Sequence, residues 1–136
     1  MADSFPWLSS FETGIAVIDA QHRKLVGMLN ELFDAINRGE GNNIVGKILD
    51  GMIHYTQTHF ATEEKLFAKF GYPESAEHIR EHDALRKQVL KLRSSLRAGR
   101  NLFAVQVAEF LKEWLRVHIL QSDKRFAPYL LSMGVK

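Results

Sequence analysis

Apolar residues recur at steps of three and four in four stretches of the chain, the period that lines one face of an α-helix. The first stretch opens near Asp19, a residue suited to capping a helix start, and continues through His22, Leu25, Leu29, Leu32 and Ile36. Gly39, Gly41, Asn42 and Asn43 favour a turn after it. A second helix is predicted over 44–70, with Val45, Ile48, Met52, Tyr55, His59, Glu63, Leu66 and Phe70 along one side and Gly71-Tyr72-Pro73 as its stop. The third, over 73–98, turns His78, His82, Leu85, Val89, Leu92 and Leu96 inward, and Gly99, Arg100 and Asn101 reverse the chain again. The fourth, over 102–120, shows Val105, Ala108, Leu111, Leu115 and His118 at helical spacing. Residues 1–18 carry Phe5, Pro6, Trp7, Leu8 and Phe11 with no period, which predicts an arm laid across the outside or end of the domain, with Trp7 as a packing anchor. No stretch alternates with the period of a strand.

Short connections between amphipathic helices make neighbours antiparallel, so the pattern predicts an all-α, up-down-up-down four-helix bundle. The expected organisation is one domain over 1–136, with an arm over 1–18, the bundle over 19–120 and a C-terminal segment over 121–136. In that topology the starts of helices one and three share an end with the finishes of helices two and four. His22, His59, Glu63, His78, His82 and His118 all fall at that end, although they are spread over nearly the whole bundle. Asp123 follows His118 by five residues, about 140° around a regular helix, so it joins them only if the helix ends or loosens near Gln121 and Ser122. A short final helix through Phe126, Tyr129 and Leu130 is expected after it, with Pro128 in its early part.

One histidine on an apolar face is more often a hydrogen-bonded core residue than a ligand. Five converging imidazoles and two carboxylates are different, since each buried polar group left unpaired costs about 1–3 kcal/mol and a buried charge more. Metal ions remove that cost. His54, about 140° from His59, belongs on the surface, and Glu64, about 100° from Glu63, reads as solvated. The donor set exceeds what one ion needs and implies two. If both carboxylates bridge and one oxide or hydroxide joins them, two octahedral spheres are filled except for a single position, where a small ligand binds. Nitrogen and oxygen donors at octahedral geometry suit iron or manganese better than zinc.

Composition narrows the partners. Apolar residues make up 46% and charged residues 25%, ordinary for a folded water-soluble domain. Eighteen basic against 16 acidic residues leave a net charge of +2 with no basic block, so neither nucleic acid nor a membrane surface is an expected partner. There is no cysteine, which excludes thiolate nucleophiles and sulfur-ligated metals. With no leader-like start and no apolar run near the ~20 residues that span a bilayer, a cytoplasmic protein that is not membrane-embedded is expected.

The TGIAVID segment before His22, then HFATEE, GYPESAEHIREH and HILQSDKRFAPYL, resembles the hemerythrin family in its single-domain bacterial form. The likeness covers nearly the whole chain, and no ligand position departs from it. It implies that His78, His82 and His118 hold one iron, that His22 and His59 hold the other, and that Glu63 and Asp123 bridge them alongside an oxo or hydroxo group. It also implies that Leu25, Phe60, Trp114, Leu115 and Ile119 line an O₂ pocket at the iron with two histidines. The function so implied is reversible O₂ binding for intracellular transport, storage or delivery, without catalysis. Imidazoles push less electron density to iron than the carboxylates of ferritin-like oxygenases, and an apolar wall excludes water and protons, which together disfavour O–O cleavage. The recipient of the oxygen is expected to be an oxygen-consuming enzyme or membrane complex. Two alternatives stay open: an O₂ or redox sensor, less expected because no signalling domain is fused within the 136 residues, and a diiron peroxidase or NO-reducing enzyme needing an electron donor.

Overall fold

The computed structural model describes residues 5–98 and 103–136. Its elements are a 3₁₀ turn at Ser9–Phe11, α1 at Ala16–Asn37, α2 at Gly41–Phe70, α3 at Ser75–Arg97, α4 at Ala104–Val117, a π-helical turn at His118–Asp123, and α5 at Lys124–Ser132. Among the described residues there is no strand. Helix α1 packs chiefly on α2 and α4, and α2 also packs on α3, as the up-down-up-down bundle requires. The turn predicted at Gly99, Arg100 and Asn101 and the start predicted at Leu102 lie outside the described residues.

Three helix starts differ from the periodic reading. Helix α1 begins at Ala16, so Asp19 is not its cap but lies in its first turn. There it accepts hydrogen bonds from the Thr13 N–H and hydroxyl, both at 2.8 Å, and from the Gly14 N–H at 3.1 Å, tying the preceding chain onto the helix. Helix α2 begins at Gly41, which absorbs Asn42 and Asn43 and leaves only Arg38, Gly39 and Glu40 as the turn. The Asn42 Oδ1 accepts from the Ala104 N–H at 2.7 Å and so caps α4 from another helix. Helix α3 begins at Ser75 and not at Pro73. The stop after α2 is as predicted: Gly71 sits at φ +64°, and the Tyr72 N–H reaches back to the Phe67 carbonyl at 3.1 Å.

The arm keeps Pro6, Leu8, Ser9 and Ser10 exposed but sends two side chains into the core. Phe5 and Phe11 are buried in the main core and their rings stack at 5.4 Å, while Asn30 pairs with both the N–H and the carbonyl of Phe5. Trp7 is the anchor expected of it, its indole N–H on Glu12 and the Arg23 guanidinium over its ring. Val105 faces solvent; the inner stripe of α4 is Ala104, Val107, Ala108, Leu111, Trp114 and Leu115. The core runs the length of the bundle through Leu25, Leu29, Leu32, Phe33, Leu49, Phe60 and Leu111, each contributing about 1.5–3 kcal/mol by leaving water. A second cluster of Ile15, Ile18, Phe67, Tyr72, Phe126 and Leu130 closes one end under α5.

Candidate metal centre

That closed end holds the polar cluster. His22 is on α1, His59 and Glu63 are one turn apart on α2, His78 and His82 are one turn apart on α3, and His118 and Asp123 open and close the π turn. All seven are buried, and six of the side chains are among the most enclosed in the chain. The π turn is what admits Asp123. Bonding from i to i+5 widens the turn by one residue, so the fifth residue after His118 returns to nearly the same side of the helix. Regular α-geometry would have pointed it away.

All five imidazoles direct Nε2 toward the carboxylates. Glu63 Oε1 lies 2.8 Å from His82 Nε2 and 3.4 Å from His78 Nε2, while its Oε2 lies 3.0 Å from His59 Nε2. Asp123 Oδ1 lies 3.2 Å from His78 Nε2; its Oδ2 lies 2.6 Å from His22 Nε2, 3.0 Å from His118 Nε2 and 3.4 Å from His59 Nε2. The donors fall into two groups whose atoms lie within 4.8 Å of one another: His22, His59, Glu63, His118 and Asp123, and Glu63, His78, His82 and Asp123. Both carboxylates belong to both groups. His118 falls with His22 and His59, its Nε2 3.0 Å from that of His59, whereas the family resemblance pairs it with His78 and His82.

The outer ring nitrogens are held unequally. His59 Nδ1 lies 2.8 Å from the Gln21 Oε1, and Gln21 in turn donates to Thr62 Oγ1 at 3.0 Å. His82 Nδ1 lies 2.8 Å from Glu64 Oε2. An N–H at Nδ1 leaves the Nε2 lone pair facing inward, the tautomer an ion needs. His78 Nδ1 is 4.0 Å from Glu81, and the outer nitrogens of His22 and His118 have no hydrogen-bond partner among the described residues. Gln21 and Glu64 were missed by periodicity, Glu64 having been read as solvated. Their signal was adjacency: each precedes or follows a ligand by one position, at the flank of the buried stripe, where a long polar side chain reaches the next helix.

Burial dominates the electrostatics. It pushes the imidazoles of His22, His59 and His118 below the usual histidine range and that of His82 down to about 2, so each is a neutral lone-pair donor. Burial, then the Asp123 charge beside it, raises Glu63 well above the carboxylate range. Burial also works against ionised Asp123, but the His118 imidazole and hydrogen bonds from Glu63, His118 and His22 outweigh it and hold Asp123 well below its usual value. Glu63 Oε2 and Asp123 Oδ1 are buried without a hydrogen-bond partner, a cost that cations between the two groups would relieve. Five imidazoles and two carboxylates, with no sulfur, suit a pair of iron ions.

The five residues expected to line a pocket are all buried: Leu25, Phe60, Leu115 and Ile119 completely, Trp114 nearly so. Phe60 stacks on His82 at 3.9 Å and lies 5.2 Å from His118, and Trp114 stacks over His118 at 6.3 Å. His54 is exposed, as expected.

A buried two-group imidazole–carboxylate centre inside an antiparallel four-helix bundle defines a cation-binding helical domain, and residues 13–130 match the model of the hemerythrin HHE cation binding domain. The chain belongs to the hemerythrin family. It is 36% identical over 121 residues to the bacteriohemerythrin of Stenotrophomonas maltophilia (strain R551-3), covering 89% of this chain and 78% of that one. It is 34% identical over 122 residues to the bacteriohemerythrin of Methylococcus capsulatus (strain Bath), covering 90% and 92% respectively. The crystal structure of a wild-type hemerythrin superposes with a TM-score of 0.81 at 34% identity, over 92% of this chain and 96% of that one. No described helix is long and apolar enough to cross a membrane.

Proposed function

We propose that the chain binds O₂ reversibly at a diiron centre and serves to carry, store or deliver it, without catalysing its reduction. The observation that carries this reading is the reach of Glu63 and Asp123 into both donor groups, which fits two ions held side by side. His22, His59, His78, His82 and His118 would supply the nitrogens and the two carboxylates would bridge. His118 is assigned with His78 and His82 on the family resemblance. Its Nε2 lies 3.9 Å from Glu63 and 3.0 Å from Asp123, the two carboxylates common to both groups. When bound, the iron pair supplies the two electrons that O₂ binding draws on and the one open coordination position.

The chain's own residues set how that chemistry ends. Burial disfavours the imidazolium form of His22, His59, His82 and His118, so none of these rings is a ready acid beside the cluster. Leu25, Phe60, Trp114, Leu115 and Ile119 would form the apolar wall that excludes water; all five are buried, with Phe60 against His82 and His118 and Trp114 against His118.

The test is iron analysis of the purified chain, with two irons per chain expected, followed by repeated exposure of the diferrous protein to O₂ and its removal under a visible spectrometer. Return of the deoxy spectrum over many cycles supports the reading. Irreversible oxidation with turnover of peroxide or NO would refute it in favour of an enzyme.

A further inference from the structure

Among the described residues, the outer nitrogen of His82 alone of the five imidazoles is bonded to a carboxylate, and that carboxylate has a second partner. Glu64 Oε2 accepts from His82 Nδ1 at 2.8 Å and from Arg86 Nη2 at 3.2 Å, so one oxygen serves the imidazole and the guanidinium together. Arg86 lies one turn beyond His82 on α3, and its other arm is held by Asp83 at 2.6 Å. The same guanidinium stands 5.1 Å over the ring of Phe60, which itself stacks on His82 with an interplanar angle of 8°. The whole assembly is half-buried at its outer edge, with Glu64 and Arg86 about one third exposed, and fully buried at His82.

We infer that Glu64 and Arg86 are a positioning pair that sets the donor strength of His82, and through it the balance between the ferrous and ferric states of the ion His82 holds. The inference rests on the diiron reading above. A carboxylate accepting the Nδ1–H gives the imidazole part of the character of an imidazolate and makes its Nε2 a stronger donor. A guanidinium on the same oxygen draws charge away and limits that gain. The two residues therefore act in opposite senses on one atom. His59, backed by the neutral amide of Gln21, lacks this adjustment, so the two donor groups differ in electron supply although their inner atoms are alike.

The experiment compares the wild type with Glu64→Gln and Arg86→Met. Iron content, the rate of iron release to a chelator and the reduction potential are measured at low and high salt, and the His82 tautomer is read by ¹⁵N NMR in the iron-free chain. Glu64→Gln is expected to raise the potential, favouring ferrous iron, to weaken iron retention by about 10- to 100-fold, and to let the His82 proton divide between its two nitrogens. Arg86→Met is expected to lower the potential while His82 keeps its Nδ1 proton. Both shifts should persist at high salt, since a hydrogen-bonded effect is not screened as an exposed charge is. Unchanged potentials, shifts in the same direction, or shifts abolished by salt, in proteins that hold two irons, overturn the inference and leave the diiron reading intact. A wild type that takes up no iron overturns both. If Glu64→Gln retains no iron, Arg86→Met decides alone: a lowered potential supports the inference and an unchanged one removes it.

Discussion

The iron-free chain should lose stability steeply when mildly acidified, and the slope follows from the cluster. His22, His59, His82 and His118 sit below their unfolded value of 6.5 because burial disfavours the imidazolium. A base whose folded value is depressed contributes stability that is present above the unfolded value and is lost as pH falls below it, because only the unfolded chain takes up the proton. Each such histidine removes up to about 1.4 kcal/mol per pH unit. Glu63 acts in the other direction: its raised folded value favours the folded chain as pH falls toward 4.5. Four imidazoles against one carboxylate leave a ceiling of about 4 kcal/mol per pH unit between roughly pH 6.5 and 5. That is large beside the ~5–15 kcal/mol by which domains of this size are stable. The assay is urea unfolding of the apo chain followed by far-UV circular dichroism at pH 7.5, 6.5 and 5.5, comparing midpoints at constant slope. The midpoint should fall sharply below pH 6.5, and His118→Leu should flatten the fall by about one histidine's share. A midpoint that is level or rises from pH 7.5 to 5.5 would mean the imidazoles are not buried in neutral form, and the description of the centre would be wrong.

Three further outcomes are expected. His118→Ala should bring the iron content below two per chain and lower the stability of the loaded protein more than that of the apo protein, because metal binding is coupled to folding; elemental analysis giving two irons would remove His118 from the ligands. Leu115→Ala, at a fully buried site beside Trp114, should speed autoxidation by admitting water and cost about 2–5 kcal/mol in urea unfolding; an unchanged autoxidation rate would take Leu115 out of the apolar wall. Gly41→Ala would place a Cβ 2.6 Å from Ile36 Cγ1 and 3.0 Å from Ala104 Cβ, so overpacking of about 1–3 kcal/mol is expected; no loss in the same assay would show that α1 and α4 part easily there.

The bundle and the convergence of its candidate ligands were legible because both follow from period and topology. His22 and His118 are far apart in sequence, but antiparallel order alone places them at one end. Even the break before Asp123 was legible, since a five-residue spacing cannot lie on one face of an α-helix, although the form of the break, a π turn continuous with α5, was not. What could not be read depends on contacts between helices. Asn42 looks like a turn residue until the Ala104 N–H it caps is in view, and Asp19 looks like a cap until its bonds to Thr13 and Gly14 show it reaching backwards from inside the helix. Glu64 looks solvated from its own helix; only the neighbouring α3 supplies His82 and Arg86. Phe5 and Phe11 carry no period because they fill the core from a segment outside the α-helices.

The extra residue in the π turn shifts the phase of everything after it. The rotation that brings Asp123 inward also turns Phe126 onto His78, at 5.3 Å between rings, and onto Phe67, at 5.1 Å, and it leaves the Tyr129 hydroxyl on the Phe70 carbonyl at 2.7 Å. The terminal helix is therefore a cap whose seating is geared to the orientation of one carboxylate. Phe126 and Tyr129 thus tie α5 to the helices that carry His59, Glu63 and His78.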